Sequence, residues 1–106
     1  MKVLHYQTAS GRLPFREWYD KLDGKHQAAI RRRIRAIEEH GHYGDCLSLR
    51  GGLYELRLMG PGLRVYIANF DRTIVLLLGG SGRSDQKRAI KTARQRLRDF
   101  RERSDG

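Results

Sequence analysis

The sequence has very little cysteine and no long apolar segment. Cys46 is the only cysteine among 106 residues, so an intramolecular disulfide is excluded and the composition suits a reducing cytosol. The longest apolar run, from Ile74 to Leu78, is far too short to span a bilayer. The first residues, Met1 to Tyr6, contain neither an apolar stretch nor a small-residue cleavage site. We therefore expect a cytoplasmic protein that does not associate with membranes.

Acidic residues are also scarce relative to basic ones. Twelve Asp and Glu stand against 22 Lys and Arg, which gives a net charge of +10 and an isoelectric point of about 10.5. Most of the cations are arginines, whose planar fork of donors suits phosphate better than the point charge of lysine. This excess favours a polyanionic partner. The alternative is a merely soluble basic protein, because charge alone predicts no chemistry.

Patterns for metals and nucleotide cofactors are missing as well. His40, His42 and Cys46 fit no strong zinc spacing, and a fourth ligand is lacking. The glycine-rich segment 79–82 lacks the Lys-Ser/Thr ending of a P-loop. We therefore predict no metal and no cofactor.

Hydrophobic periodicity predicts an α+β domain. An N-terminal strand precedes a helical hairpin, a three-stranded antiparallel meander and a C-terminal helix that begins near Ser84 as its N-cap. The predicted elements are a strand at 3–8, helices at 14–22 and 25–40, strands at 53–59, 63–70 and 73–78, and a helix at 84–102. The buried stripe of the second helix is marked by Ile30, Ile34 and Ile37, and Gly41 is its expected C-cap. The continuous apolar run 74–78 suggests a central strand that is buried on both faces. Turns are expected at 60–62 and 79–82, and a loop at 42–52. We expect one domain over 1–106, with the helices on one face of the sheet and a frayed tail at 103–106.

Alternation along the central strands brings four polar residues together. If the apolar side chains of the two strands point into the core, then Glu55, Arg57, Arg64 and Tyr66 share an open face. Two arginines beside a tyrosine and a carboxylate suit RNA cleavage, in which a ribose 2′-hydroxyl attacks the adjacent phosphate and cations stabilise the charge on phosphorus. A cross-strand salt bridge on a solvated face is the alternative.

Further cations flank this predicted site. Arg83 follows the last strand just before the C-terminal helix, where backbone N–H groups favour phosphate, although a flexible connector is equally consistent. We take Arg83 with Arg57, Arg64 and Tyr66 as the candidate catalytic set. Basic residues of two helices are predicted to bind RNA or the ribosome through phosphate contacts. They are Arg31, Arg32, Arg33, Arg35, Lys87, Lys91 and Arg94.

The sequence resembles the RelE/ParE toxin superfamily, and within it the HigB-like branch known as addiction module killer proteins. Four stretches that span nearly the whole chain carry the resemblance. They are Phe15-Arg16-Glu17-Trp18, Leu53-Tyr54-Glu55-Leu56-Arg57, Gly62-Leu63-Arg64-Val65-Tyr66, and Leu77-Leu78-Gly79-Gly80 followed by Gln86 and Ile90. The resemblance implies a helical hairpin on a twisted antiparallel sheet.

The resemblance also implies a function and assigns roles to residues. RelE and HigB members cleave messenger RNA in the ribosomal decoding site without metal, and an antitoxin encoded beside them neutralises them in a hetero-oligomer. It gives Arg57 and Arg64 the phosphate-binding and transition-state roles. Arg83 stands where many close relatives carry lysine. RelE-like enzymes commonly place a catalytic Tyr or His near the C-terminus, whereas this chain has neither beyond Gly80, which leaves Tyr66 and His42 as candidate bases.

Two other functions remain open at this stage. A ParE-like inhibitor of DNA gyrase has the same fold and needs no catalytic arginine on the sheet. A non-catalytic basic module that binds nucleic acid would show salt-sensitive binding without toxicity.

Overall fold

The computed structural model describes residues 1–58, 60 and 62–105, and it is a mixed α+β structure with a five-stranded sheet and three helices. The strands are β1 (Lys2–His5), β2 (Cys46–Ser48), β3 (Leu53–Leu58), β4 (Leu63–Phe70) and β5 (Ile74–Ser81). The helices are α1 (Pro14–Asp20), α2 (Gly24–His40) and α3 (Gln86–Asp105).

The sheet is mixed, which corrects the expected all-antiparallel arrangement. Its strand order is β1-β5-β4-β3-β2. The meander β3-β4-β5 is antiparallel, as predicted, but β1 pairs in parallel with β5. Strand β2 lies within the segment 42–52 that we predicted as a loop, and it pairs antiparallel with β3. Three residues are too few for an alternation pattern, so the sequence carried no signal for β2.

Helices cover both faces of the sheet, which corrects the prediction that they share one face. The helices α1 and α2 pack on the face that includes Leu56, Val65 and Ile67. The opposite face packs against α3 through Ala93 and Leu97. The apolar run of β5 is therefore buried on both sides, as expected for a central strand.

Local signals explain where α2 begins and ends. The side chain of Asp23 accepts a hydrogen bond from the backbone N–H of His26 at 2.8 Å, so Asp23 is the N-cap. Gly41 closes the helix in the left-handed conformation at φ 67°, as predicted. Ile30 and Ile37 of the predicted stripe are buried against the sheet.

The other boundaries differ by a few residues. Strand β1 ends at His5 and α1 at Asp20, earlier than predicted. Helix α3 begins at Gln86, so Ser84 lies too early to be its N-cap, and it continues to Asp105 through most of the expected tail. The predicted strand end at Met59, Pro61 of the predicted turn and Gly106 of the tail lie outside the described residues.

Candidate functional site

The four polar residues of the central strands do share one face of the sheet. In the antiparallel register Glu55 stands opposite Tyr66, and Arg57 stands opposite Arg64. This face is covered, however, because the beginning of α3 packs over it. Glu55 and Tyr66 have no exposed surface, and Arg64 is buried as well. The expectation of an open face was wrong, because the sequence did not indicate on which side of the sheet α3 would pack.

Glu55 is the centre of this cluster. One carboxylate oxygen, Oε1, accepts a hydrogen bond from Arg57 Nε at 3.0 Å and lies 3.7 Å from Arg64 Nε. The other oxygen, Oε2, accepts from the side-chain amide of Gln86 at 2.8 Å. Because Gln86 is the first residue of α3, this bond ties the helix start to the strand. The carboxylate therefore holds two guanidinium groups and positions the helix.

Arg64 is deeply buried but makes few hydrogen bonds with the described residues. Its side chain is only 8% exposed, and its Nε has no hydrogen-bond partner within the described part of the chain. The one hydrogen bond of its side chain to a described residue is a long contact of 3.5 Å from an Nη to the carbonyl of Leu63. A buried donor that makes no hydrogen bond is costly, and water, an ion or a ligand can complete its set. Arg57, 33% exposed, lies beside Arg64 at the more open end of the cluster.

Tyr66 is positioned by β5. Its hydroxyl forms a hydrogen bond of 3.0 Å with Ser81 Oγ, and Ser81 is also buried. Burial raises the pKa of Tyr66, although the bond to Ser81 works in the opposite direction. The register of β4 and β5 shifts between Tyr66 and Ile67, as at a β-bulge, which re-aims side chains at this point of the strand.

The segment 79–82 does not form the predicted turn, because Gly79, Gly80 and Ser81 extend β5. Ser81 was therefore missed as a site residue, and the sequence carried no clear signal for it, since glycine is compatible with both a turn and a strand. Arg83 follows the strand and is exposed. Its guanidinium lies against Gly62, two residues before Arg64. The structure thus brings all three candidate arginines to one end of the sheet.

The predicted RNA-binding residues fall into two separate groups. Arg31, Arg32, Arg33 and Arg35 belong to α2, whereas Lys87, Lys91 and Arg94 belong to α3 on the opposite side of the sheet. Two of them have structural roles. Arg33 donates to the backbone carbonyls of Tyr43, Asp45 and Arg57, and Arg94 donates to those of Leu49 and Arg50.

The other five residues of this basic set are exposed, and one of them, Arg31, also makes a hydrogen bond within the helical hairpin. Lys87, Lys91, Arg32 and Arg35 are exposed, and Arg31 donates to the hydroxyl of Tyr19 at 2.6 Å. His42 lines a groove beside α2, on the other side of the sheet from Arg64. Of the cations in this set, Lys87 is the one closest in sequence to Gln86, although neighbouring residues of a helix point in different directions.

Two absences hold for the described residues, 1–58, 60 and 62–105. No group of three or more His, Cys, Asp or Glu is placed to hold a metal ion there. No helix in that part of the chain has the length and apolar character that a membrane crossing requires. Burial raises the pKa of the Cys46 thiol, an effect that Arg33 partly opposes.

Fold and site together define a small basic α+β protein with an arginine cluster at one end of its sheet. A family model described as "Phage derived protein Gp49-like (DUF891)" matches residues 17–98, a range that contains the whole cluster. The chain belongs to this Gp49-like family, which is phage-derived, toxin-like and associated with toxin–antitoxin systems of the RelE/HigB-like kind.

A relative from Haemophilus influenzae (strain ATCC 51907 / DSM 11121 / KW20 / Rd) is 38% identical over 84 residues. The match covers 77% of this chain and 84% of the relative, whose name reads "Uncharacterized protein".

Proposed function

We propose that this protein is the toxin of a type II toxin–antitoxin pair, of the HigB-like branch, and that it cleaves messenger RNA on the ribosome without metal. In the proposed reaction a ribose 2′-hydroxyl gives its proton to water or a ribosomal group and its oxygen attacks the adjacent phosphorus. The bond from phosphorus to the 5′-oxygen breaks, and the 5′-oxygen takes up a proton as it leaves. The products are a 2′,3′-cyclic phosphate and a 5′-hydroxyl end. Membership of a toxin-like family supports the toxin role, and the arginine cluster supports the chemistry.

One observation carries the proposal. Arg64 Nε is buried, makes no hydrogen bond within the described part of the chain, and lies 3.7 Å from the same carboxylate oxygen that accepts from Arg57. A fully paired ion cluster would have no capacity left for an anion. Here two guanidinium groups share one carboxylate, and the exposed Arg83 adds a third positive charge at the same end of the sheet. The excess suits the extra negative charge on a phosphorane transition state.

The cluster assigns different roles to its members. Arg57 and Arg83 have exposed surface that can contact a phosphate. Arg64 lies deeper and adds positive charge beneath that surface. Glu55 is a positioning residue, because both of its oxygens hold neighbouring side chains. Tyr66, which we predicted as catalytic, is buried and neutral at physiological pH, so we propose that it positions Ser81 and β5. Acceleration then comes mainly from electrostatic stabilisation, with proton transfer completed on the ribosome.

The same proposal names the partners and the compartment. We propose that the exposed basic side chains Lys87 and Lys91 of α3, the helix that begins at the cluster, contact RNA phosphates. An acidic or amphipathic segment of a cognate antitoxin would neutralise the arginine-rich face in a hetero-oligomer. Messenger RNA and ribosomes place the activity in the cytoplasm.

The test is induced expression followed by mapping of mRNA 5′ ends, with and without a translation inhibitor. Wild type is expected to arrest growth and to produce translation-dependent cuts that carry 5′-hydroxyl ends. Arg64→Lys keeps the positive charge but loses the guanidinium fork, so cutting should fall at least about tenfold. Arg98→Ala, which removes an exposed arginine elsewhere on α3, should cut like wild type. Circular dichroism establishes that each variant is folded.

Two outcomes would overturn the proposal. Growth arrest with intact mRNA and disturbed DNA supercoiling would identify a gyrase inhibitor. Absence of arrest by a folded wild-type protein would identify a non-catalytic binding module.

A further inference from the structure

A second feature lies on the other side of the α3 start from the arginine cluster. A cleft of about 220 Å³ opens between α1 and α3 at the end of β5. Trp18 of α1 forms one wall, the glycine-rich end of β5 forms the floor, and Asp85, Arg88 and Arg96 line the side of α3. We call it the Trp18 cleft. The toxin chemistry proposed above does not use it.

Two glycines of β5 leave room for two side chains that line this cleft. A Cβ on Gly80 would lie 2.3 Å from the Trp18 ring, and a Cβ on Gly79 would lie 2.6 Å from Arg96 Nη1. Gly79 also has φ of 155°, which L residues rarely adopt. The indole therefore rests on bare backbone, and Arg96 is fixed by a 2.7 Å hydrogen bond to the carbonyl of Leu78.

Three polar side chains of α3 and its start that line the cleft are unpaired within the described residues, and two of them, Asp85 and Arg88, are exposed. The carboxylate of Asp85, the guanidinium of Arg88 and the hydroxyl of Thr92 line it, and none of the three makes a side-chain hydrogen bond or ion pair within the described part of the chain. A pocket with an aromatic wall and a few convergent polar groups is the usual form of a ligand site. Here an aromatic ring, an acceptor and a cation stand together.

This combination matches the parts of a nucleotide. Unpaired bases stack on aromatic rings and guanidinium planes, a carboxylate accepts hydrogen bonds from base N–H groups, and arginine binds phosphate. Pockets that enclose a drug-sized ligand are typically about 300–1,000 Å³, so a cleft of about 220 Å³ has room for one ring system and no more.

The position of the cleft ties it to the arginine cluster. Ser81 lines the cleft and also bonds to Tyr66, and it stands opposite Arg64 in the register of β4 and β5. Gln86 reaches the cluster from α3, while its neighbour Asp85 lines the cleft. The cleft and the arginine cluster therefore adjoin the same end of β5 and the same start of α3.

We propose that the Trp18 cleft binds one unpaired base of an RNA strand and selects for guanine. The choice of RNA rests on the proposed function, whereas the base pocket itself rests on the cleft. Trp18 stacks on the base, and Arg88 holds the neighbouring phosphate. Asp85 accepts from the base edge, and guanine offers it two adjacent N–H donors. Uracil offers one N–H flanked by carbonyl oxygens, which a carboxylate repels.

The chain provides its own probe, because Trp18 is its only tryptophan. We would titrate the full chain with the four nucleoside 5′-monophosphates and with inorganic phosphate, and follow indole fluorescence. Saturable quenching by the guanine nucleotide is expected, with a dissociation constant at least about fivefold below that of the uracil nucleotide. Asp85→Asn should abolish this preference. Arg88→Ala should weaken all four nucleotides, and Arg98→Ala should change nothing.

Other outcomes would overturn the proposal. Equal quenching by all four nucleotides and by phosphate would reveal only a diffuse cationic surface. Quenching by a purified antitoxin but by no nucleotide would assign the cleft to a protein. Because this assay needs neither ribosomes nor cleavage, failure of the proposed ribonuclease function leaves its result intact. If cleavage is found but Asp85→Asn leaves the bases around the cuts unchanged, the cleft proposal alone falls.

Discussion

The two faces of the sheet differ in what they bury. The fully buried side chains of the described residues under α1 and α2 are apolar, with Ile37, Leu56 and Val65 packed together. The face under α3 is apolar only in part, where Leu76 and Leu97 meet. The difference indicates that the first face serves stability alone, whereas the second gives up apolar packing where the candidate site lies.

The polar part of the α3 face consists of a few buried side chains that depend on one another. Arg57, Arg64 and Gln86 all converge on Glu55, and Tyr66 pairs with Ser81. Replacing a buried ion cluster by apolar residues is often neutral or stabilising, so the cluster is poorly explained as a stabilising device. It is better explained as a site that the apolar remainder of the fold supports.

Removal of the central carboxylate, Glu55, should lower the stability of the protein more than any other change to the α3 face. Glu55→Ala leaves Arg57 and Arg64 without their shared partner, and breaking a buried ion pair typically costs about 3–5 kcal/mol. Urea unfolding would measure the loss, with Glu102→Ala as an exposed acidic control. A loss of less than about 1 kcal/mol would mean that the cluster is solvated and that the contrast between the faces is false.

The apolar face should respond in stability and not in activity. Ile37→Ala removes a fully buried side chain of α2 that faces the sheet, and it should lower the free energy of unfolding by about 2–5 kcal/mol. At a temperature at which the variant stays folded, its cleavage per folded molecule should equal that of wild type. If cleavage falls as steeply as it does in Arg64→Lys, then the two faces are not separable.

The floor of the Trp18 cleft permits a finer test with a matched control. Gly80→Ala forces a methyl group into the Trp18 ring, which is also packed against Phe15 with ring centroids 5.9 Å apart, so the ring has little room to move. Overpacking of this kind costs about 1–3 kcal/mol, measured by thermal or urea unfolding. Gly82→Ala meets no atom within 4 Å and should be close to neutral. Equal effects of the two substitutions would show that the ring is not seated on Gly80.

Much of the fold could be predicted from the sequence, because its signals are periodic. The stripe of α2, the cap at Gly41 and the antiparallel meander all agree with the structure. Amphipathic spacing shows that a helix has a buried side, but it does not show which face of a sheet that side meets. The run Ile74 to Leu78 did indicate two covered faces of β5, in conflict with helices on one face only.

The sequence predicted which residues form the candidate site better than it predicted how deeply they are buried. Alternation placed Glu55, Arg57, Arg64 and Tyr66 on one face, and the register confirms it. Their burial was missed because it depends on the position of α3. Ser81 was missed because glycines on both sides of it made the segment resemble a turn.

The smallest expected effect concerns the second polar pair of the α3 face. Tyr66→Phe removes the hydroxyl that bonds to Ser81, and the loss of one such bond costs about 0.5–1.5 kcal/mol near neutral pH. Burial raises the pKa of Tyr66 in the folded chain, so the folded state holds this proton more tightly than the unfolded state does. The stabilisation is therefore complete below the unfolded pKa, about 10, and is lost as pH rises through the folded value.

Urea unfolding at a series of alkaline pH values isolates this contribution. Tyr6 and Tyr43 also have raised pKa values, so wild type and Tyr66→Phe should both lose stability as the pH rises above about 10. The free energy of unfolding should fall less steeply with pH in the variant, because Tyr66 no longer contributes to the loss. Parallel curves would mean that Tyr66 titrates alike in the folded and unfolded chain. In that case water reaches the α3 face, and its polar part is an open surface instead of a buried site.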